Sequence, residues 1–115
     1  MTQHDPQKYL YDILSGCEFI LEFTTSRTVE DYKQDRAFRS ALERELEIIG
    51  EALRQMNIHY PEISSQIAEY RNIIGFRHIL AHGYDSLDPA TVWSVVESKL
   101  DPLLQQIRHL LKEIK

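Results

Sequence analysis

The stretch Arg71-Asn72-Ile73-Ile74-Gly75-Phe76-Arg77-His78-Ile79-Leu80-Ala81-His82-Gly83-Tyr84 decides how the chain is read. Its apolar residues recur at helical spacing, and Ile73, Phe76, Ile79 and Leu80 fall on one arc. Arg77, His78 and His82 share the other arc with Ile74 and the small Ala81, so the spacing predicts a polar strip beside a packed face. His78 and His82 stand one turn apart, within touching distance on a helix. Gly83 suits the left-handed residue that closes a helix, which puts His82 in the last turn and Tyr84 just past it. A titratable imidazole near a permanent cation and a phenol is a set of groups able to move protons and to hold a phosphate.

Outward from this stretch the pattern stays helical. Asp5-Pro6 reads as an N-cap followed by proline at the first helical position. Leu10, Ile13, Leu14, Cys17, Ile20 and Leu21 carry a first helix to about Phe23, and Thr24-Thr25-Ser26 ends it. Thr28 with Asp31 resembles a capping box that opens a short helical turn through Tyr32. A long helix is expected from near Asp35 to about Met56, with Phe38, Leu42, Leu46, Ile49 and Leu53 on its apolar face. Its other face interleaves Glu43, Glu45, Glu47 and Glu51 with Arg39, Arg44 and Arg54, the pattern of a solvated face laced by i,i+4 pairs. Gly50 lies inside this helix at a cost of about 1 kcal/mol relative to Ala, which calls for a close helix crossing or a close subunit contact.

Asn57 to Ser65 reads as a loop broken by Pro61, and the central helix is expected from Ser65 or Ile67 to His82. Asp88-Pro89 repeats the cap-plus-proline signal and opens the last helix, whose apolar positions run from Val92 and Trp93 to Leu111. Pro102 must kink or split it, with Asp101 as the new cap. The expected fold is all-α: an up-and-down bundle of about four to five helices forming a single domain over residues 1–115.

With 43% hydrophobic residues and only four Gly and four Pro, the chain has the composition of an ordered helical protein. No apolar run approaches the roughly 18–20 residues of a membrane span, and Met1-Thr2-Gln3-His4-Asp5 has no basic region leading into an apolar core, so the expectation is a cytoplasmic protein. Cys17 is the only cysteine and is read as a small buried apolar residue. A net charge of −5 argues against a general nucleic-acid coat protein, and leaves room for an enzyme that meets RNA at one local cationic spot.

A metal centre is disfavoured. His78 and His82 supply two imidazoles where zinc needs three or four ligands, and Ile79 stands where the metalloprotease pattern requires Glu. None of His4, His59, His78, His82 and His109 follows a Glu by three residues, and His4, His59 and His109 are read as surface residues near helix ends. No Gly-rich phosphate loop, nucleophile elbow or Cys-His pair is present, and no cofactor is called for. By spacing alone Arg77 and His82 admit two readings: a reacting pair, or an ion-pair partner and a helix-end donor. Tyr60, Tyr70 and Trp93 are read as packing residues.

The run from Ile74 to Tyr84, followed by Asp88 and Val92-Trp93, resembles the HepT-like family of HEPN-domain toxins. The family's motif is Arg, four residues, His, one residue, Tyr, and it falls on Arg77, His82 and Tyr84. Leu46-Glu47-Ile48-Ile49-Gly50-Glu51-Ala52 and Tyr60-Pro61-Glu62-Ile63 extend the resemblance over nearly the whole chain. One departure is His78, where the family most often has Asn.

The resemblance implies a toxin of a type VII toxin-antitoxin system that cleaves RNA without a metal. The ribose 2′-hydroxyl attacks the adjacent phosphate and leaves a 2′,3′-cyclic end. It implies His82 as proton acceptor or donor, Arg77 on the pentacoordinate phosphate, and His78 in support. It implies a homodimer with a composite cleft, and so favours a subunit contact as the reason for Gly50. It further implies that a minimal nucleotidyltransferase antitoxin, of the MntA kind, silences the toxin by moving AMP from ATP onto Tyr84. The alternative is a catalytically silent helical domain that binds a nucleotide or helps a separate nucleotidyltransferase, and a plain dimeric scaffold is a third option.

Overall fold

The computed structural model describes residues 5–82 and 87–114; the described residues are largely helical and include no strand. Helix α1 (Pro6–Phe23) opens as its cap predicts, with the Asp5 carboxylate accepting from the Lys8 N–H at 3.3 Å. It closes where the Thr24 hydroxyl and N–H both donate to the Ile20 carbonyl. Helix α2 (Val29–Gln34) carries both halves of the capping box between Thr28 and Asp31, and runs two residues past the expected Tyr32. Tyr32 is buried; its hydroxyl donates to the Glu43 carboxylate, and its ring tilts against Trp93.

Helix α3 (Arg36–His59) is the longest element and the one the others pack around. Its apolar face, from Phe38 through Leu42, Leu46, Ile49 and Leu53 to Met56, is buried as the spacing predicts. The helix outlasts the expected Met56 by three residues, to Pro61's immediate approach, and the His59 ring stacks on Tyr9 of α1. The expected loop contains a single turn, α4 (Pro61–Ser64), in which the fully buried Ser64 hydroxyl donates to Asn57.

Helix α5 (Tyr70–His82) begins later than Ser65 or Ile67, because the chain passes through turns and through Glu69 in the left-handed region at φ 60°. Ile67 in that connector is buried, and the Ala68 N–H donates to the Gln106 side chain at 2.7 Å. The last helix is split, into α6 (Pro89–Ser98) and α7 (Leu100–Glu113), but the break falls at Lys99 and Asp101 is not the cap. Pro102 is therefore the third residue of α7, inside the first turn, where a missing N–H costs no helical hydrogen bond.

The expectation of four to five helices holds for the long elements α1, α3, α5, α6 and α7, with α2 and α4 as short additions. The core lies where α1, α3, α6 and α7 meet. Leu10, Ile13, Ile20, Leu42, Leu53, Val92 and Ile107 are all at or near zero exposure. Cys17 is in this core, and burial pushes its thiol up to about 12. Among the described residues no helix is long and apolar enough to cross a membrane.

Candidate active site

Helix α5 packs chiefly on α3, and the crossing point is Gly50 against Arg77. A Cβ on Gly50 would stand 2.3 Å from the Arg77 Cβ and 2.8 Å from its Cγ, closer than any side chain tolerates. A helix crossing inside the chain thus accounts for the glycine, in place of the subunit contact that the resemblance favoured.

The close fit rolls α5. Ile73, Ile74, Phe76, Arg77, Leu80 and Ala81 are half-buried, while Arg71, Asn72, Gly75, His78, Ile79 and His82 are exposed. Ile79, expected on the packed arc, is 46% exposed, and Arg77, expected beside the histidines, lies on the inward side. The hollow at Gly50 admits the arginine stem and turns the helix toward it. The structure brings together His78 and His82, whose rings stand 4.8 Å apart at the exposed end of α5, and places Arg77 around the helix from them. Gly83 and Tyr84, the expected helix stop and the expected modification site, lie outside the described residues.

Arg77 does not sit alone. Its Nε lies 3.2 Å from Oε1 of Glu51, with the arginine side chain 23% exposed. Nε is buried without a hydrogen-bond partner, so the contact is an ion pair whose N–H is not aimed at the oxygen. Glu51 in turn accepts from Arg54 Nε at 2.9 Å and Nη2 at 3.0 Å, and from Gln55 at 3.0 Å. The Arg54 hydrogen bonds, with help from Gln55 and the charges of Arg54 and Arg77, hold the Glu51 carboxyl at about 2 against the opposing effect of burial. Glu51 is the residue that the sequence reading missed, by leaving it in the solvated mixed-charge face. Its place next to a helix-interior glycine was the available signal.

A cleft of about 300 Å³ opens between α3, α5 and the α6–α7 junction, walled by Leu46, Ile49, Ile73, Phe76, Val95 and Leu103. Arg77, His78 and His82 do not line it. The two histidines face an open surface of the single chain. Among the described residues, no three His, Cys, Asp or Glu side chains gather as a metal ion would require. His59 and His109 are near helix ends as expected, His4 lies outside the described residues, and Trp93 packs against Tyr32 and Phe38.

Compared with known families, residues 13–110 match the one described as Ribonuclease HepT-like. The chain belongs to the HepT-like ribonuclease family. It is 32% identical over 104 residues to the "Probable ribonuclease HepT" of Thermococcus cleftensis, covering 90% of this chain and 94% of that one. It is 31% identical over 110 residues to a Caldanaerobacter subterraneus protein provisionally named an RNase, covering 96% and 97% of the two chains. A Methanocaldococcus jannaschii protein, also provisionally named an RNase, is 30% identical over 107 residues, covering 93% and 97%. No solved structure matches the chain. Arg77 and His82, on which the resemblance places the family's motif, are an arginine braced against α3 and a histidine in the last turn of α5.

Proposed function

We propose that this HepT-like chain is an endoribonuclease, the toxin of a type VII toxin-antitoxin pair, cleaving RNA at Arg77 and His82. The observation that carries the reading is the contrast between the two residues. A guanidinium is anchored through its stem and Nε edge, and an imidazole stands exposed at the end of the same helix. The arginine's terminal nitrogens supply the planar fork that suits two phosphate oxygens as charge develops on them. The imidazole accepts the 2′-hydroxyl proton, or in its protonated form donates one to the departing 5′ oxygen. The phosphorus–5′-oxygen bond breaks as the 2′-oxygen bond forms, giving a 2′,3′-cyclic phosphate and a 5′-hydroxyl. His78, in ring contact with His82, orients it.

The active form in this reading is a homodimer. Gly75 sits mid-helix on the exposed side of α5, and a Cβ there would meet nothing within 4 Å. No neighbour within the described chain accounts for this glycine, and close approach of a second copy does. The exposed Ile79 lies on the same side. Tyr84, next but one after His82, is the proposed acceptor of AMP from a cognate minimal nucleotidyltransferase. The added phosphate would bring negative charge beside the same cation that binds RNA.

A second reading has an observation in its favour: the Glu51 contact supplies Arg77 with an ion-pair partner, a structural role that a catalytically silent helical domain would also keep. Cleavage of labelled RNA in excess chelator, by protein made without an antitoxin, separates the two. Cyclic-phosphate ends from wild type, lost in His82→Ala and Arg77→Ala, support the ribonuclease. Equal, negligible cleavage by all three supports the silent domain.

A further inference from the structure

The exposed side of α5 is unusual for this chain. The whole protein has 18 acidic residues against 13 basic ones, yet the 13 residues of α5 contain no Asp or Glu. Its exposed positions are Arg71, Asn72, Gly75, His78, Ile79 and His82. Arg71, His78 and His82 recur at helical spacing, so they line up along one side of the helix. Glu69, the nearest carboxylate in sequence, is engaged by Lys99 at 3.0 Å. No carboxylate among the described residues pairs with Arg71. What holds it is an aromatic brace: Nε donates to the Tyr70 hydroxyl at 3.1 Å, and the guanidinium stands 5.5 Å from the centre of the Tyr70 ring.

We propose that Arg71 is a second phosphate-binding site for the RNA strand, displaced along the exposed side of α5 from His82. The inference rests on the ribonuclease reading of this helix. At a rise of about 1.5 Å per residue the two positions are roughly 16 Å apart. That is about five nucleotides of stacked strand at ~3.4 Å each, and fewer in an extended one. The strand meets Arg71 at one end and the histidines at the other, running beside the Gly75–Ile79 strip where the second copy approaches. Tyr70 holds the guanidinium ready while leaving its terminal nitrogens to the phosphate, which lowers the ordering cost of each contact. Arg71 touches the strand away from the scissile bond, so it contributes to affinity for longer RNA and carries no sequence preference.

The test uses the full chain with His82→Ala as background, so that bound RNA stays intact. Fluorescence anisotropy gives Kd for a labelled 12-nucleotide oligouridylate across a salt series. Adding Arg71→Ala should flatten the slope of log K against log salt by about 0.7, and weaken binding roughly fivefold at 0.1 M salt. Arg71→Lys should keep the slope. Lys112→Ala, which removes one exposed charge from α7, should change neither quantity. An unchanged slope in Arg71→Ala, an equal change in Lys112→Ala, or no binding by the background protein would each overturn the proposal. The two readings fail separately. RNA bound through Arg71 by a wild type that never cleaves sinks the ribonuclease and keeps the subsite, and cleavage with an unchanged slope does the reverse.

Discussion

Arg77 lies directly across Gly50, with its Cβ where the glycine's own side chain would begin. Gly50→Ala therefore sets two effects against each other. Alanine gains about 1 kcal/mol in helix propensity. The 2.3 Å clash involves the arginine's first side-chain atom, with its Cα close behind, so α5 must move, at a typical overpacking cost of about 1–3 kcal/mol. The expected net is a loss of about 1 kcal/mol in urea unfolding, with RNA cleavage reduced far more than that loss explains. Full activity in a destabilised Gly50→Ala protein would detach Arg77 from the chemistry.

Glu51→Gln removes the anion that Arg77 and Arg54 share while keeping the side chain's shape. Cleavage should fall by about tenfold, or ~1.4 kcal/mol, chiefly in kcat, as the guanidinium loses its station. The same substitution gives a signature in pH. The Glu51 carboxyl is depressed from 4.5 to about 2 in the folded chain, so its contribution is fully present above pH 4.5 and is lost as pH falls toward 2. The side chain is 35% exposed, which limits that contribution to about 1 kcal/mol. Wild type should exceed Glu51→Gln by this amount at pH 7, and the two unfolding curves should converge in acid.

Gly75→Ala should act in opposite directions on monomer and dimer. With open space around the added methyl and a helical backbone, the isolated fold should gain about 0.5–1 kcal/mol. If a second copy approaches here, sedimentation should show weaker self-association, and cleavage should fall at low protein concentration. Unaltered association would move the subunit contact elsewhere.

Cys17 offers a probe of the core that leaves the site alone. It has no exposure, and its thiol is pushed up to about 12. Reaction with a disulfide reagent at pH 8 should be slow in native conditions and should follow the opening rate of α1, becoming fast only in denaturant. Rapid native labelling would contradict the packing of α1 on α3.

Much of the fold was legible because local signals agreed with one another. Asp5-Pro6, the Thr28–Asp31 box and Asp35 begin helices where their side chains reach backbone N–H groups. The apolar spacing of α1, α3 and α7 is the spacing of the core. What escaped depends on partners distant in sequence. The left-handed Glu69 that delays α5 carries no glycine to announce it. A helical wheel can sort α5 into two faces, but cannot know that a hollow on α3 turns Arg77 inward and Ile79 outward. Glu51 differs from the other carboxylates of its charged face only in standing beside Gly50, and its partner Arg77 arrives only when α5 is laid beside it. His78 and His82 were legible as a touching pair, because one turn of helix is all they need.

Ile49 and Gly50, neighbours on α3, make glycine-mediated contacts with two different helices. Ile49 fills the space over Gly16 of α1, where a Cβ would lie 2.6 Å from its Cγ1, while Gly50 receives Arg77 of α5. The arginine's height above the surface is thus indexed, through the rigid body of α3, to a buried glycine of α1. In a random-mutation screen read only by RNA cleavage, positions 16 and 50 should be purged as stringently as many charged ones. The side chains omitted at these two positions constrain variation as firmly as those the protein displays.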